Sequence, residues 1–322
     1  GEAADVEKAL GIPYDRVPAN TGTLGVPEFG TKFVREMISS TRPTTFAELV
    51  KISGLSHGEQ VWIGNAQELI DKKIATLKDV IDTRDSIMVY LMQKGLDHSL
   101  AFNIMEFVRK GKGLKAEWIE EMRKHDVPEW YIESCEKIKY MFPRAHAAAY
   151  VLSALRIAYF KVYHPVAFYS TVLSVRYNTE NFAEINKPID VIRVRIKELR
   201  QEIKDLKAAK EDNKADNKQD LVDMMDLALE AKERGVVFSN LDIMKSDASY
   251  YKTIDGVVYP PFSSISGVGA EAAESVIEAR NEAEFINIED IKKRTKLNNT
   301  AIGTLVDMGV LDEYRNIQYT LF

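Results

Sequence analysis

MFPRAHAAAYVLSALRIAYFKVYH, residues 141–164, predicts one long helix with an unusual distribution of charge. From residue 137 to residue 175 the chain has five basic residues, two histidines and eight aromatic residues, but no Asp or Glu. The whole chain is acidic, with a formal net charge of −6. A cationic, aromatic and alanine-rich helix is typical of surfaces that face polyphosphate or nucleic acid. The cationic candidates for such a contact are Arg144, His146, Arg156 and Lys161.

The composition describes a globular protein, with 45% apolar and 29% charged residues among 322. The negative net charge argues against a uniformly basic nucleic-acid binder, so any DNA contact must come from local patches or backbone amides. The single cysteine, Cys135, excludes an intramolecular disulfide and is compatible with a reducing cytosol. No apolar run reaches the ~18 residues of a membrane span. We therefore expect a cytoplasmic protein with no membrane partner. The chain starts without Met and reads like part of a longer protein.

The periodicity predicts a mainly α fold. Thr45 and Glu48 have the spacing of a capping box, which begins a helix at Phe46. Gly54 and Gly58 predict that this helix then breaks into a loop. A further helix is predicted over Leu77–Thr83, and the long helix Arg144–Tyr163 is expected to end before Pro165.

Residues 188–235 have the pattern of a helical hairpin. Apolar residues recur at helical spacing from Ile192 to Leu206 and again from Leu221 to Leu229. The polar tract Glu211–Lys218 between them is predicted to be a solvated turn. A simple spacer is the alternative interpretation of this region. Asp255–Gly256 then predicts a tight turn in a minor β element.

The sequence ISGVGA, residues 265–270, has the pattern of a helix-hairpin-helix. Small residues lead into a predicted helix over Glu271–Arg280, whose free N-terminal amides and positive dipole end could hold one phosphate. The acidic surroundings favour contact through backbone amides, without base reading. An ordinary Gly-rich turn is the alternative. The candidate DNA-binding residues are Ile265, Gly267, Val268 and Gly269.

Ser53–Gly58 places a hydroxyl and an imidazole in a predicted loop with two glycines. Adjacent Ser and His residues rarely activate each other, and no G-x-S-x-G elbow surrounds them, so a loop that approaches a ligand is favoured over a hydrolase. The histidines do not have the spacing of metal ligands, and no compact Asp-x-Asp pair is present. We assign no catalytic residue and no metal ligand within this chain.

The last five residues, Gln318–Phe322, place two bulky apolar side chains near a terminus. Leu321 and Phe322 could insert into a pocket of a partner while Gln318 orients the peptide. A frayed tail is the alternative.

Taken together, these residues resemble the PolC-type replicative DNA polymerases of Gram-positive bacteria, in the C-terminal third of those proteins. The resemblance covers nearly the whole chain. It is carried by the segments TLGVPEFGT (23–31), KISGLSHG (51–58), WIGNAQ (62–67), FPRAHAAAYV (142–151), IAYFK (157–161) and QYTLF (318–322).

The resemblance implies a multi-helix fingers domain, a helical hairpin and a small helix-hairpin-helix domain with a minor β element. It implies that Ser56, His57 and Gly58 line the nascent base pair together with the cations of the long helix, and that Gln318–Phe322 binds the sliding clamp. For those cations, support of the fingers core and of template-strand phosphates is the alternative role. The implied regions are a palm-edge lead-in (1–31), fingers (32–187), a helical hairpin (188–235), a duplex-binding domain (236–317) and a clamp peptide (318–322).

The resemblance also implies that the metal-binding aspartates, and with them the Mg²⁺, belong to an upstream palm, so this chain alone should not polymerise. The implied partners are primer–template DNA, dNTP, the sliding clamp and other replisome subunits. A non-catalytic DNA-binding scaffold with a clamp-binding tail is the alternative, and a hydrolase around Ser56 and His57 is a third interpretation.

Overall fold

The computed structural model describes residues 3–18 and 21–315. They form two compact units that interleave along the chain. Unit 1 contains the described residues of 3–8 and 21–158, and unit 2 contains those of 9–18 and 159–315. The boundary at residues 158 and 159 falls inside one long helix. The expected five-region division of the chain stays a prediction.

The fold is mainly α, as predicted, with one small β-sheet in the described part of the chain. The helices that begin in unit 1 are α1 (Ala3–Leu10), α2 (Lys32–Thr41), α3 (Phe46–His57), α4 (Gln67–Asp71), α5 (Arg84–Gln93), α6 (His98–Val108), α7 (Ala116–Lys124), α8 (Glu129–Lys137) and α9 (Arg144–Tyr163). Those of unit 2 are α10 (Pro165–Arg176), α11 (Phe182–Ile185), α12 (Ile189–Ala208), α13 (Asp212–Glu233), α14 (Ala270–Glu282), α15 (Ile288–Arg294) and α16 (Asn299–Asp307).

Helix α3 confirms its predicted start and corrects its predicted end. The Thr45 hydroxyl accepts from the Glu48 amide at 3.2 Å, and the Glu48 carboxylate accepts from the Thr45 amide at 3.0 Å. The helix then continues through Gly54 to His57, where we expected a loop. A Cβ on Gly54 would lie 2.6 Å from Cγ2 of Thr83 and 2.8 Å from the Asp82 carbonyl oxygen. Gly54 therefore permits close packing inside a helix.

The predicted helix over Leu77–Thr83 is wrong. This segment consists of turns and bends, and the next helix, α5, begins only at Arg84. The Asp79 carboxylate accepts hydrogen bonds from the hydroxyl and the amide of Thr76 at 2.5 and 2.9 Å. Both bonds lower the pKa of Asp79, and the bond from the hydroxyl has the larger effect. A short polar side chain that bonds nearby backbone competes with the helical hydrogen-bond pattern.

The helical hairpin is confirmed in unit 2. Helix α12 buries Ile192, Ile196, Leu199 and Ile203, which lie at the predicted spacing. The turn is shorter than predicted, since α13 already begins at Asp212 within the expected polar turn. A polar tract on an exposed helical turn needs no loop, because its side chains stay hydrated.

One arginine joins three separate parts of unit 2. The Arg234 guanidinium donates to the carbonyl oxygens of Lys161 at 2.6 Å and Val162 at 3.1 Å, in the last turn of α9. It also donates to the Leu10 carbonyl oxygen at 2.8 Å, across 224 residues of sequence. Leu10 and Ile12 are buried. The early segment is thus part of the unit 2 structure.

The β element is a three-stranded sheet in the order β1-β3-β2. The strands are β1 (Val237–Phe238), β2 (Lys252–Ile254) and β3 (Val257–Tyr259), with β1 parallel and β2 antiparallel to β3. The predicted turn is confirmed, because Asp255 and Gly256 both have positive φ angles of 49° and 78°, as a type I′ hairpin requires. None of the helices in the described ranges has both the length and the apolar character needed to cross a membrane.

Candidate nucleotide and nucleic-acid sites

His57 stands at the end of α3 in a polar and aromatic setting. Its Nε2 lies 2.7 Å from Oε2 of Glu28, and its ring stacks on Phe142 with centroids 4.7 Å apart. The Ser53 hydroxyl also donates to the same Glu28 oxygen at 3.3 Å. Glu28 has a φ of 67°, a left-handed conformation that is uncommon for a residue other than glycine. Strained residues of this kind concentrate at functional sites.

Ser56 and Gly58 flank this imidazole with different contacts. The Ser56 hydroxyl donates to the Ser53 carbonyl oxygen at 2.9 Å, back onto its own helix. A Cβ on Gly58 would lie 2.3 Å from Cγ2 of Val61 and 3.1 Å from the Tyr140 carbonyl oxygen, so only glycine fits without a shift. The Ser56 hydroxyl therefore bonds backbone, an arrangement that does not favour the hydrolase interpretation.

Arg144 and His146 begin α9 beside this cluster. The Arg144 amide donates to Oδ2 of Asp85 at 2.8 Å, which satisfies a free amide at the helix N-terminus. The His146 ring meets the Phe142 ring edge-on with centroids 5.0 Å apart. The side chains of Arg144 and His146 are both exposed. Phe142 thus joins His57 and His146 into one aromatic cluster.

Arg144 also lines a pocket of about 240 Å³ in unit 1, together with Lys51 and Lys78. Lys51 lies 3.6 Å from the buried Asp82 carboxylate. Lys51, Lys78 and Glu28 were not predicted as site residues. They come from separate segments with no local pattern.

The structure does not bring Arg156 and Lys161 to the same place. Arg156 is exposed, but it follows Arg144 by twelve residues, about 18 Å along a helix. Lys161 is only 1% exposed, and its ammonium lies 2.5 Å from Oε1 of Glu230. The Tyr169 hydroxyl donates to the same oxygen at 2.7 Å, and burial raises the pKa of Tyr169. The predicted nucleotide role of Lys161 is therefore corrected to a buried ion pair.

The predicted helix-hairpin-helix lies at the start of α14. Gly267 has a φ of +83°, and Gly269 is the N-cap residue of α14. A Cβ on either glycine would meet nothing within 4 Å, so the approach to the first-turn amides is open. Ile265 and Val268 are buried in the hydrophobic core around this hairpin, so their side chains anchor it from inside the fold. The predicted clamp-binding residues Gln318, Leu321 and Phe322 lie outside the described residues.

Two family models match this chain. Residues 16–126 match the bacterial DNA polymerase III alpha subunit finger domain. Residues 235–319 match the helix-hairpin-helix motif. The first range holds the end of α3 and the second holds the hairpin before α14.

Curated relatives named DNA polymerase III PolC-type align with almost the whole chain. The protein of Oceanobacillus iheyensis is 51% identical over 305 residues, and that of Bacillus subtilis is 48% identical over 305 residues. The protein of Caldanaerobacter subterraneus subsp. tengcongensis is 49% identical over 306 residues. Each alignment covers 95% of this chain but 21% of the relative. The chain thus spans about a fifth of the length of these relatives.

Proposed function

We propose that this chain is the fingers and duplex-binding part of a replicative DNA polymerase. The observation that carries the proposal is about 50% identity, over 95% of the chain, to proteins named DNA polymerase III PolC-type. The open hairpin before α14 supports duplex binding, since its amides are accessible to a phosphate. The cytoplasm is the proposed location.

The proposed nucleotide site consists of the end of α3 and the start of α9. The His57 ring stacks on Phe142, the His146 ring meets Phe142 edge-on, and Arg144 adds an exposed cation. An aromatic cluster beside a cation can hold a base and attract a triphosphate. Ser56 and Gly58 border this site, and Arg156 would contact DNA further along α9. The parent reaction is nucleotidyl transfer, in which this region positions the substrates.

Mg²⁺ is proposed for the parent polymerase, with ligands outside this chain. Within residues 3–18 and 21–315, no group of three or more His, Cys, Asp or Glu side chains could hold a metal ion. Because the proposed metal ligands belong to the upstream palm, we expect no primer extension from the chain alone. Robust extension by the purified chain would show that the catalytic acids lie within it.

The test of the nucleotide site uses the full-length polymerase. His57→Ala and Arg144→Ala should each raise the KM for dNTP or lower kcat by roughly tenfold or more, since one hydrogen-bonding or charged contact contributes ~1.4 kcal/mol. His98→Ala, a change at an exposed histidine on α6, is the matched control. Wild-type kinetics in both site variants would favour the non-catalytic scaffold instead.

The tail Gln318–Phe322 is proposed to bind the sliding clamp. A five-residue peptide should bind with micromolar affinity, about −8 kcal/mol or weaker, because it loses chain entropy on binding. Tethering by DNA would raise its effective concentration. Calorimetry against the purified clamp, with and without these five residues, tests the assignment. Equal binding by both chains would refute it.

A further inference from the structure

The loop between α6 and α7 is strongly basic. Its sequence RKGKGLK, residues 109–115, has four basic residues and no acid. Gly111 and Gly113 have positive φ angles of 67° and 70°, a backbone conformation that favours glycine. The Lys112 side chain is exposed, and its ammonium lies 5.3 Å from the centre of the Phe107 ring.

A second pair of lysines borders this loop. Lys137 and Lys139 flank Ile138, which is fully buried, and both lysines are exposed. A Cβ on Gly111 would lie 2.7 Å from the Lys139 carbonyl oxygen and 3.0 Å from its Cα. The loop and the segment of Lys137–Tyr140 are therefore in direct backbone contact, and their lysines share one region of unit 1.

One nearby carboxylate, that of Glu106, is paired with other cations. The Glu106 carboxylate lies 2.8 Å from the Arg109 guanidinium and 2.9 Å from the Lys110 ammonium. The bond from Arg109 has the larger effect, and together the two bonds lower the pKa of Glu106 to about 2. In the part of the chain that the structure describes, no carboxylate lies within ion-pair distance of Lys112, Lys137 or Lys139. The Lys137 ammonium donates to the Gly64 carbonyl oxygen at 3.0 Å. Three positive charges thus face solvent without a carboxylate.

This region adjoins the proposed nucleotide site. The Glu59 amide donates to the Tyr140 carbonyl oxygen at 2.9 Å, one residue after Gly58. The Tyr140 side chain is 47% exposed. Lysines beside an exposed aromatic ring are the usual combination for single-stranded nucleic acid, in which phosphates meet cations and unstacked bases meet rings. A base in a closed duplex is already stacked and would gain little from Tyr140.

We propose that Lys112, Lys137, Lys139 and Tyr140 form a basic edge that binds single-stranded nucleic acid. The lysines hold the phosphate backbone, and Tyr140 stacks on a base. The identity of the natural ligand rests on the proposed function. Under that function, the bound strand is the unpaired template next to the nascent base pair. A strand that leaves the site at Gly58 reaches Tyr140 first and the Lys112 loop next.

The test compares two probes on the whole chain, a single-stranded oligonucleotide of about 12 nucleotides and a duplex of the same length. Lys112→Glu with Lys139→Glu should weaken single-strand binding by roughly tenfold or more, with duplex binding changed less than about twofold. The salt slope for the single strand should fall by about 1 to 2, at ~0.7 per lost phosphate contact. Lys204→Glu with Lys207→Glu, exposed on α12, makes the same change in net charge and should leave single-strand binding intact. Circular dichroism confirms that each variant is folded.

Single-strand binding that is unchanged in the first double variant, or equally weakened in the α12 control, would overturn the basic edge. Competition by polyglutamate at equal charge would also overturn it, because an acidic protein would then be the partner. Gly269→Asp separates the two proposals, since it should weaken duplex binding alone. If the duplex does not bind but the basic edge still controls single-strand binding, the hairpin assignment fails and the basic edge stands.

Discussion

Gly269→Asp should weaken duplex binding without harming the fold. Gly269 is the N-cap residue of α14, with φ −74° and ψ 165°, and a Cβ there would meet nothing within 4 Å. The new side chain therefore fits. Asp is a preferred N-cap, and it differs from Gly there by only a few tenths of a kcal/mol. We expect an unchanged or slightly higher melting temperature.

The loss of binding follows from charge. An Asp carboxylate at the N-cap can accept from the first-turn amides that would otherwise bind a phosphate. Two like charges about 4 Å apart repel by ~1 kcal/mol in water and ~4 kcal/mol near a protein surface of lower effective dielectric constant. Duplex affinity should therefore fall by roughly fivefold to 1,000-fold.

Fluorescence anisotropy on two duplexes of unrelated sequence measures the effect. Gly269→Ser is the matched control, because it adds an N-cap hydroxyl without charge and should keep duplex affinity within about threefold. An Asp variant that binds like the wild type would refute the reasoning. A Ser variant as weak as the Asp variant would show that shape, and not charge, limits the approach. A strong preference for one duplex would contradict contact through backbone amides.

Three further predictions concern buried groups. Glu230→Gln should destabilise unit 2 by about 3–5 kcal/mol, because the buried Lys161 ammonium loses its carboxylate partner. Adding Lys161→Met should recover most of this stability. Hydrogen exchange of the α12 and α13 amides measures both effects. Gly54→Ala should lower the free energy of unfolding by about 1–3 kcal/mol, because the new methyl group overpacks against Thr83. Urea unfolding measures this change, and a change near zero would contradict the packing role. Cys135 is fully buried, and burial raises the pKa of its thiol, so iodoacetamide should label it only after unfolding; rapid labelling of the folded chain would refute this.

The sequence predicted correctly those elements that depend on interactions between residues close together in the chain. The capping box at Thr45, the I′ turn at Asp255–Gly256 and the stripe of α12 each depend on residues a few positions apart. The helical span of α9 followed in the same way from its periodicity and from Pro165. These elements could be predicted because near neighbours supply most of their stabilisation.

The errors arose where distant residues decide the outcome. Gly54 stays helical because Asp82 and Thr83 pack against it, almost thirty residues later. Lys161 lies in an acid-free segment, yet its partner Glu230 comes from another helix. Charge composition along a segment cannot show such a pairing. Glu28 lies in the segment TLGVPEFGT, but nothing local singled it out, since its contact depends on a left-handed backbone and on the position of His57.

The bond between Arg234 and Leu10 has a consequence for synthesis on the ribosome. Leu10 emerges first, but its hydrogen-bond partner follows 224 residues later. At about 5–20 residues per second, the early segment waits on the order of 10–50 s for that partner. During this interval its apolar side chains are open to chaperones and proteases. Nascent chains stalled before Arg234 should be cleaved between residues 9 and 18, whereas chains that have released Arg234 from the ribosome should resist cleavage there.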